Sequence, residues 1–218
     1  MKIITFASQK GGVSKTTTAF CVAADLARRG GRVAAIDSDS QGSLALWAKG
    51  RPVDRPQIPV AAVSPQNLKA AIDVARKDRY DWLVIDTPPT GAPLEVETAY
   101  KHSDLIVIPV TPSAIDIAAS GVTVKLARQL RRPFIILISL ADPKLSGMFE
   151  RSWVAEARRE LNQFGTLYPG CIVKRRAYQR AFMNGLGVSE MGDDAAAQRE
   201  ISQLTDWIIR QVNSEAVA

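Results

Sequence analysis

Cysteine and histidine are almost missing from this chain. Cys21 and Cys171 stand 150 residues apart with no CxxC pair, and His102 is the one histidine, so no zinc ligand set and no cluster-bridging cysteine pair can be assembled. A reduced, cytosolic compartment fits that usage. Long apolar runs are missing too. No stretch reaches 18 apolar residues, and the opening MKIITFASQK lacks a basic region followed by an apolar one. A membrane span and a secretory leader are therefore not expected, and the chain reads as soluble. The proline-bearing stretch Gly50 to Pro59 (Pro52, Pro56, Pro59) is an irregular connection and no domain linker, because the alternation of strand and helix patterns resumes directly after it.

What is present suits one α/β domain spanning 1–218: 218 residues, 46% of them hydrophobic, are enough for one packed core and cramped for two. The formal charge is +6, with a pI near 9.5. That excess permits an acidic partner such as nucleic acid without requiring one.

Apolar runs alternate with helical patterns along the chain. Strands are expected at Lys2 to Ala7, Arg32 to Ile36, Tyr80 to Ile85, Asp104 to Val110 and Phe134 to Leu140, with a short one at Cys171 to Val173. Helices are expected at Thr16 to Arg29, Leu44 to Lys49, Pro65 to Lys77, Leu94 to Lys101, Ala114 to Leu130, Phe149 to Asn162, Ala177 to Asn184 and Ala195 to Val212, the last capped by Asp193 or Asp194. Such alternation predicts a mostly parallel, twisted sheet with helices on both faces.

The stretch SQKGGVSKTT (Ser8 to Thr17) lies between the first strand and the first helix. Gly11 and Gly12 allow torsions closed to other residues, so successive N–H groups can converge on an anion, and the following helix dipole adds attraction. Lys15 supplies a point charge for the β and γ phosphates and the Thr16 hydroxyl a ligand for Mg²⁺. The literal GxxxxGK[ST] pattern fails, because Gln9 and Ser14 occupy its glycine positions. If the backbone at Ser14 needs positive φ, serine there costs on the order of 1 kcal/mol. Two later segments place carboxylates just past strand ends, where open α/β sheets bind ligands: Asp37 and Asp39 in DSDSQG, and Asp86 in VIDTPP.

These motifs, with IPVTPS, resemble the deviant Walker A ATPases of the ParA/MinD family, and most of all the short ParA proteins of plasmid partition, over Lys2 to about Gln211. The resemblance implies a P-loop fold in which Lys10, Gly11, Gly12, Val13, Ser14, Lys15, Thr16 and Thr17 hold ATP. It implies Mg²⁺ at Thr16, Asp37 and Asp86, with Asp39 positioning the attacking water. Lys10 would reach across a homodimer to the partner's nucleotide, so Lys10, Lys15 and Asp39 carry the hydrolysis. From Arg151 to Arg180 seven basic residues face two acidic ones. Within it Lys174, Arg175, Arg176 and Arg180, with Tyr178 among them, are the expected contacts to nonspecific DNA.

The implied cycle is an ATP-bound dimer on DNA, released by slow hydrolysis that a small DNA-binding, ParB-like adaptor stimulates. That would place the protein in the cytoplasm, on the nucleoid. The terminal helix, with Ile201, Leu204, Ile208 and Val212 at helical spacing, is expected to pack on the core, since its polar face is not the lysine-rich face of a membrane tether. Two other readings stay open: a positioning ATPase for a protein cargo, and an ATP-dependent small-molecule ligase on the same scaffold.

Overall fold

A computed structural model describes residues 1–89, 93–144 and 150–214. The chain alternates β1 (Lys2–Phe6), α1 (Lys15–Arg28), β2 (Val33–Asp37), α2 (Ser43–Lys49), β3 (Val60–Ala62), α3 (Leu68–Lys77), β4 (Trp82–Asp86), α4 (Pro93–His102), β5 (Leu105–Val110), α5 (Ala114–Gln129), β6 (Phe134–Ala141), α6 (Ser152–Leu161), β7 (Leu167–Val173), α7 (Arg176–Met183) and α8 (Ala195–Ser214). The strands form one seven-stranded sheet in the order β3-β2-β4-β1-β5-β6-β7, every pair parallel.

Both faces of the sheet are covered, which is why its strands are near-continuous apolar runs. On one face Ile4, Phe6, Val107, Ile135 and Leu137 pack against α1, α2, α7 and α8. On the other, Ile3, Ile85, Ile108, Ile136 and Ile138 pack against α3, α4, α5 and α6. The terminal helix joins the first of these cores through Ile201, Leu204, Ile208 and Val212, as its spacing predicts. Asp194 is its cap: one carboxylate oxygen accepts the N–H groups of Ala196 and Ala197. Asp193 instead pairs with Arg180.

Two strands depart from the sequence reading. β3 is a three-residue edge strand beyond the proline-bearing connection, too short to show a period. β7 begins at Leu167 and not at Cys171; Pro169 and Gly170 hide its first half, and the register against β6 shifts twice along it. An edge strand tolerates both residues. The expected start of the sixth helix at Phe149 lies outside the described residues. Among the described residues no helix is long and apolar enough to cross a membrane.

Candidate functional site

The carboxyl ends of β1, β2 and β4 meet at one point. β2 and β4 are neighbours in register, so Asp37 lies directly beside Asp86. Ser38 bonds the Asp86 carbonyl through both its N–H (3.0 Å) and its hydroxyl (2.8 Å), and the Thr87 hydroxyl donates to the Phe6 carbonyl. The loop from β1 to α1 arches over this junction.

That loop turns through two left-handed residues, Gly12 (φ +77°) and Ser14 (φ +62°). A Cβ at Gly12 would meet nothing within 4 Å, so conformation and not crowding calls for glycine. Ser14 does occupy the positive-φ state, at a cost on the order of 1 kcal/mol. Val13 is buried in the core, so only its backbone can serve the cradle.

Lys15 is buried, and its ammonium donates to the Lys10 carbonyl at 3.3 Å. Burial lowers its pKa, while Asp86 and Asp39 pull the other way. The Thr16 hydroxyl donates to Asp86 Oδ2 at 2.6 Å. Asp86 is wholly buried, and its other oxygen has no partner among the described residues. Burial pushes its pKa up to about 7; the Thr16 bond opposes that and neighbouring Asp37 adds to it. Asp37 is raised as well, first by burial, although its oxygens accept the N–H groups of Asp39 (3.1 Å) and Ala45 (2.9 Å). Two adjoining carboxylates, one with an orphaned oxygen, and a hydroxyl on the same group make an all-oxygen donor set suited to Mg²⁺. Thr16 and Asp86 would hold the ion, with Asp37 reaching it through water.

Asp39 is half-buried and borders the adjoining cleft of about 740 Å³, with Gly11, Gly12, Lys15 and Thr16 on the same side. One of its oxygens accepts the Gln41 N–H at 3.0 Å, an Asx turn that fixes the side chain without filling its lone pairs. Thr17 also borders this cleft. Lys10 is half-buried and makes no ion pair among the described residues.

The expected DNA contacts do not form one free cationic patch. Arg175 is held by Glu200 (2.8 Å) and Arg180 by Asp193 (2.6 Å). Tyr178 is buried, its hydroxyl donating to Glu200 at 3.0 Å. Lys174 and Arg175 border the same cleft as the glycine loop. Arg176 is exposed, and neither it nor Lys174 is in an ion pair among the described residues. Sequence reasoning missed Leu140 as a cleft wall, and Glu200 as the residue tying β7 and α7 to α8. No local signal marks them, because fold topology alone brings them to the loop.

A family model described as the CobQ/CobB/MinD/ParA nucleotide binding domain matches residues 4–212. The chain is 31% identical to maintenance of carboxysome distribution protein A of Halothiobacillus neapolitanus, over 93% of this chain and 94% of that protein. It is 31% identical to protein ParA of Rhizobium radiobacter over about half of each, 53% and 51%. Among solved structures, Cyanothece apo McdA superposes with a TM-score of 0.80 at 18% identity, covering 95% of this chain and 99% of that one. The cell division ATPase MinD of Pyrococcus furiosus follows with a TM-score of 0.77 at 16% identity, covering 96% and 98%.

Proposed function

We propose a function from one premise: the chain belongs to the CobQ/CobB/MinD/ParA nucleotide-binding family and has the ParA/MinD ATPase fold. It acts as an ATP-driven switch. ATP with Mg²⁺ holds two copies face to face, the dimer rests on nonspecific DNA, and partner-stimulated hydrolysis releases it.

The observation that carries this reading is the Thr16–Asp86 pair beneath the glycine loop. A buried carboxylate with an oxygen unpartnered among the described residues is costly, and a cation held there by Asp86 and Thr16 would relieve that cost. When bound, Mg²⁺ supplies charge neutralisation on the β and γ phosphates. Lys15 meets the same phosphates, and Asp39 orients the attacking water, which phosphoryl transfer needs more than a strong base. Among the described residues Lys10 has no acidic partner, which leaves its charge available to a nucleotide held by a neighbour.

For the cargo, similarity along the whole chain to a carboxysome-distribution protein favours a protein assembly moved over the nucleoid. The alternative is plasmid or chromosome partition through a ParB-like adaptor, supported by the half-length similarity to ParA.

Gel filtration with Mg²⁺-ATP is the test. The wild type is expected to run as a dimer that Lys10→Ala does not form and ADP does not support; a nucleotide-independent size would refute the switch. Imaging a tagged copy with its gene neighbours separates the cargoes, since loss of the gene should disturb either the spacing of a protein body or the inheritance of a replicon.

A further inference from the structure

On the face of β6 that packs toward α1, alternate residues are Ile135, Leu137 and then Ser139. Ser139 is wholly buried, and its hydroxyl donates to the carbonyl of Val13 at 2.9 Å, across 126 residues of sequence. Directly after it Leu140 takes φ +52°, a left-handed state that a leucine rarely adopts, and turns the chain along the cleft wall. The serine thus stands where the last inward position of a core strand meets the glycine loop.

A trans peptide points its C=O and its N–H in opposite directions. With the Val13 carbonyl drawn toward β6, the N–H of Ser14 is turned away from β6, toward the cleft that Ser14 borders. The next peptide is pinned likewise. The Ser14 carbonyl accepts the Thr18 N–H (2.9 Å) and the Thr18 hydroxyl (2.8 Å), which turns the Lys15 N–H the same way. Yet Ser14 is an L-residue in a left-handed state, and its own hydroxyl has no partner among the described residues. Nothing in its side chain offsets the strain, so an outside contact must hold the loop open.

We propose that Ser139 is a positioning residue for the triphosphate: its hydroxyl holds the Val13–Ser14 peptide so that the loop's N–H groups face the anion, in place of the glycine missing at position 14. This rests on the ATP-binding reading above. Without the hydroxyl, Ser14 relaxes toward negative φ in the free protein, and each binding event must impose the left-handed state again. Glycine at position 14 carries no such penalty. The hydroxyl and the residue at position 14 are therefore coupled.

A double-mutant cycle with a fluorescent ATP analogue and Mg²⁺ tests this on the full chain. Ser139→Ala should weaken binding about tenfold when residue 14 is serine. In the Ser14→Gly background the same change should cost less than about threefold. The loss should fall mainly on KM for ATP, with turnover at saturation reduced less. Equal losses in the two backgrounds, or no loss in either, would overturn the proposal. Should Ser139→Ala fail to fold, Ser139→Cys keeps the volume with a weak donor and runs through the same cycle. If the wild type itself does not bind the analogue, the ATP-binding reading fails instead, so the two failures are distinguishable.

Discussion

Asp86 concentrates the conflict between stability and function in one side chain. Its pKa, raised to about 7 mainly by burial, means that the fold holds a proton there which the unfolded chain has already lost above pH 4. Folded molecules then bind more protons than unfolded ones between about pH 4 and 7, so stability falls as pH rises through that window. The contribution is on the order of 4 kcal/mol. In the nucleotide-free protein, Asp86→Asn should therefore raise the urea midpoint at pH 8 and change it little at pH 4. The same variant should lose the added stability that Mg²⁺-ATP confers on the wild type. A variant less stable than wild type at pH 8 would show that the carboxylate is paid for elsewhere in the fold. That Asp86 ends a strand was legible in VIDTPP; that one of its oxygens is orphaned was not, since this depends on Thr16 and Asp37 arriving from two other elements.

At the scale of elements, the join between α7 and α8 holds the loop after β2 in place. Gly185 sits at φ +62°, and a Cβ there would lie 2.2 Å from the Gly50 carbonyl carbon, just past α2. Beside it Arg51 and Glu190 form a buried ion pair (2.6 Å), and the Trp47 indole donates to the Leu186 carbonyl. Since α2 begins directly after DSDSQG, these contacts anchor the segment that carries Asp39. Gly185→Ala combines a backbone clash with a disfavoured φ and should cost several kcal/mol, more than about 3. Asp194→Ala, which removes one helix cap, should cost about 1 kcal/mol. Denaturant titration of both variants checks the ordering, and a Gly185→Ala cost at or below the cap's would mean that the two loops separate freely. The helices were readable because periodicity is local. β3 and the first half of β7 were not, because three residues carry no period, and Pro169 and Gly170 read as a break until β6 is alongside to pair with them.

For the whole molecule, the distribution of charge matters more than its net value. Of the four cations expected to meet DNA, Arg175 and Arg180 already have carboxylate partners, while Arg176 is exposed and not in an ion pair among the described residues. Arg176→Ala should lower retention on DNA uniformly across sequences and reduce the slope of log K against log salt by about 0.9. Arg180→Ala should change that slope less, as read by retention at a series of salt concentrations; equal effects would show that the Asp193 pair opens on binding. Local chemistry alone determined much of this protein. A strand, two glycines, a lysine and a helix start specify an anion cradle, and apolar alternation specifies a covered parallel sheet, because both depend on torsions and periods within a few residues. Only the tertiary structure decided which basic side chains are held by carboxylates, which carboxylate oxygen lacks a partner among the described residues, and that a serine on β6 bonds the loop after β1. Those outcomes depend on which distant segments the sheet order sets side by side, and burial and electrostatic pairing exist only once they are there.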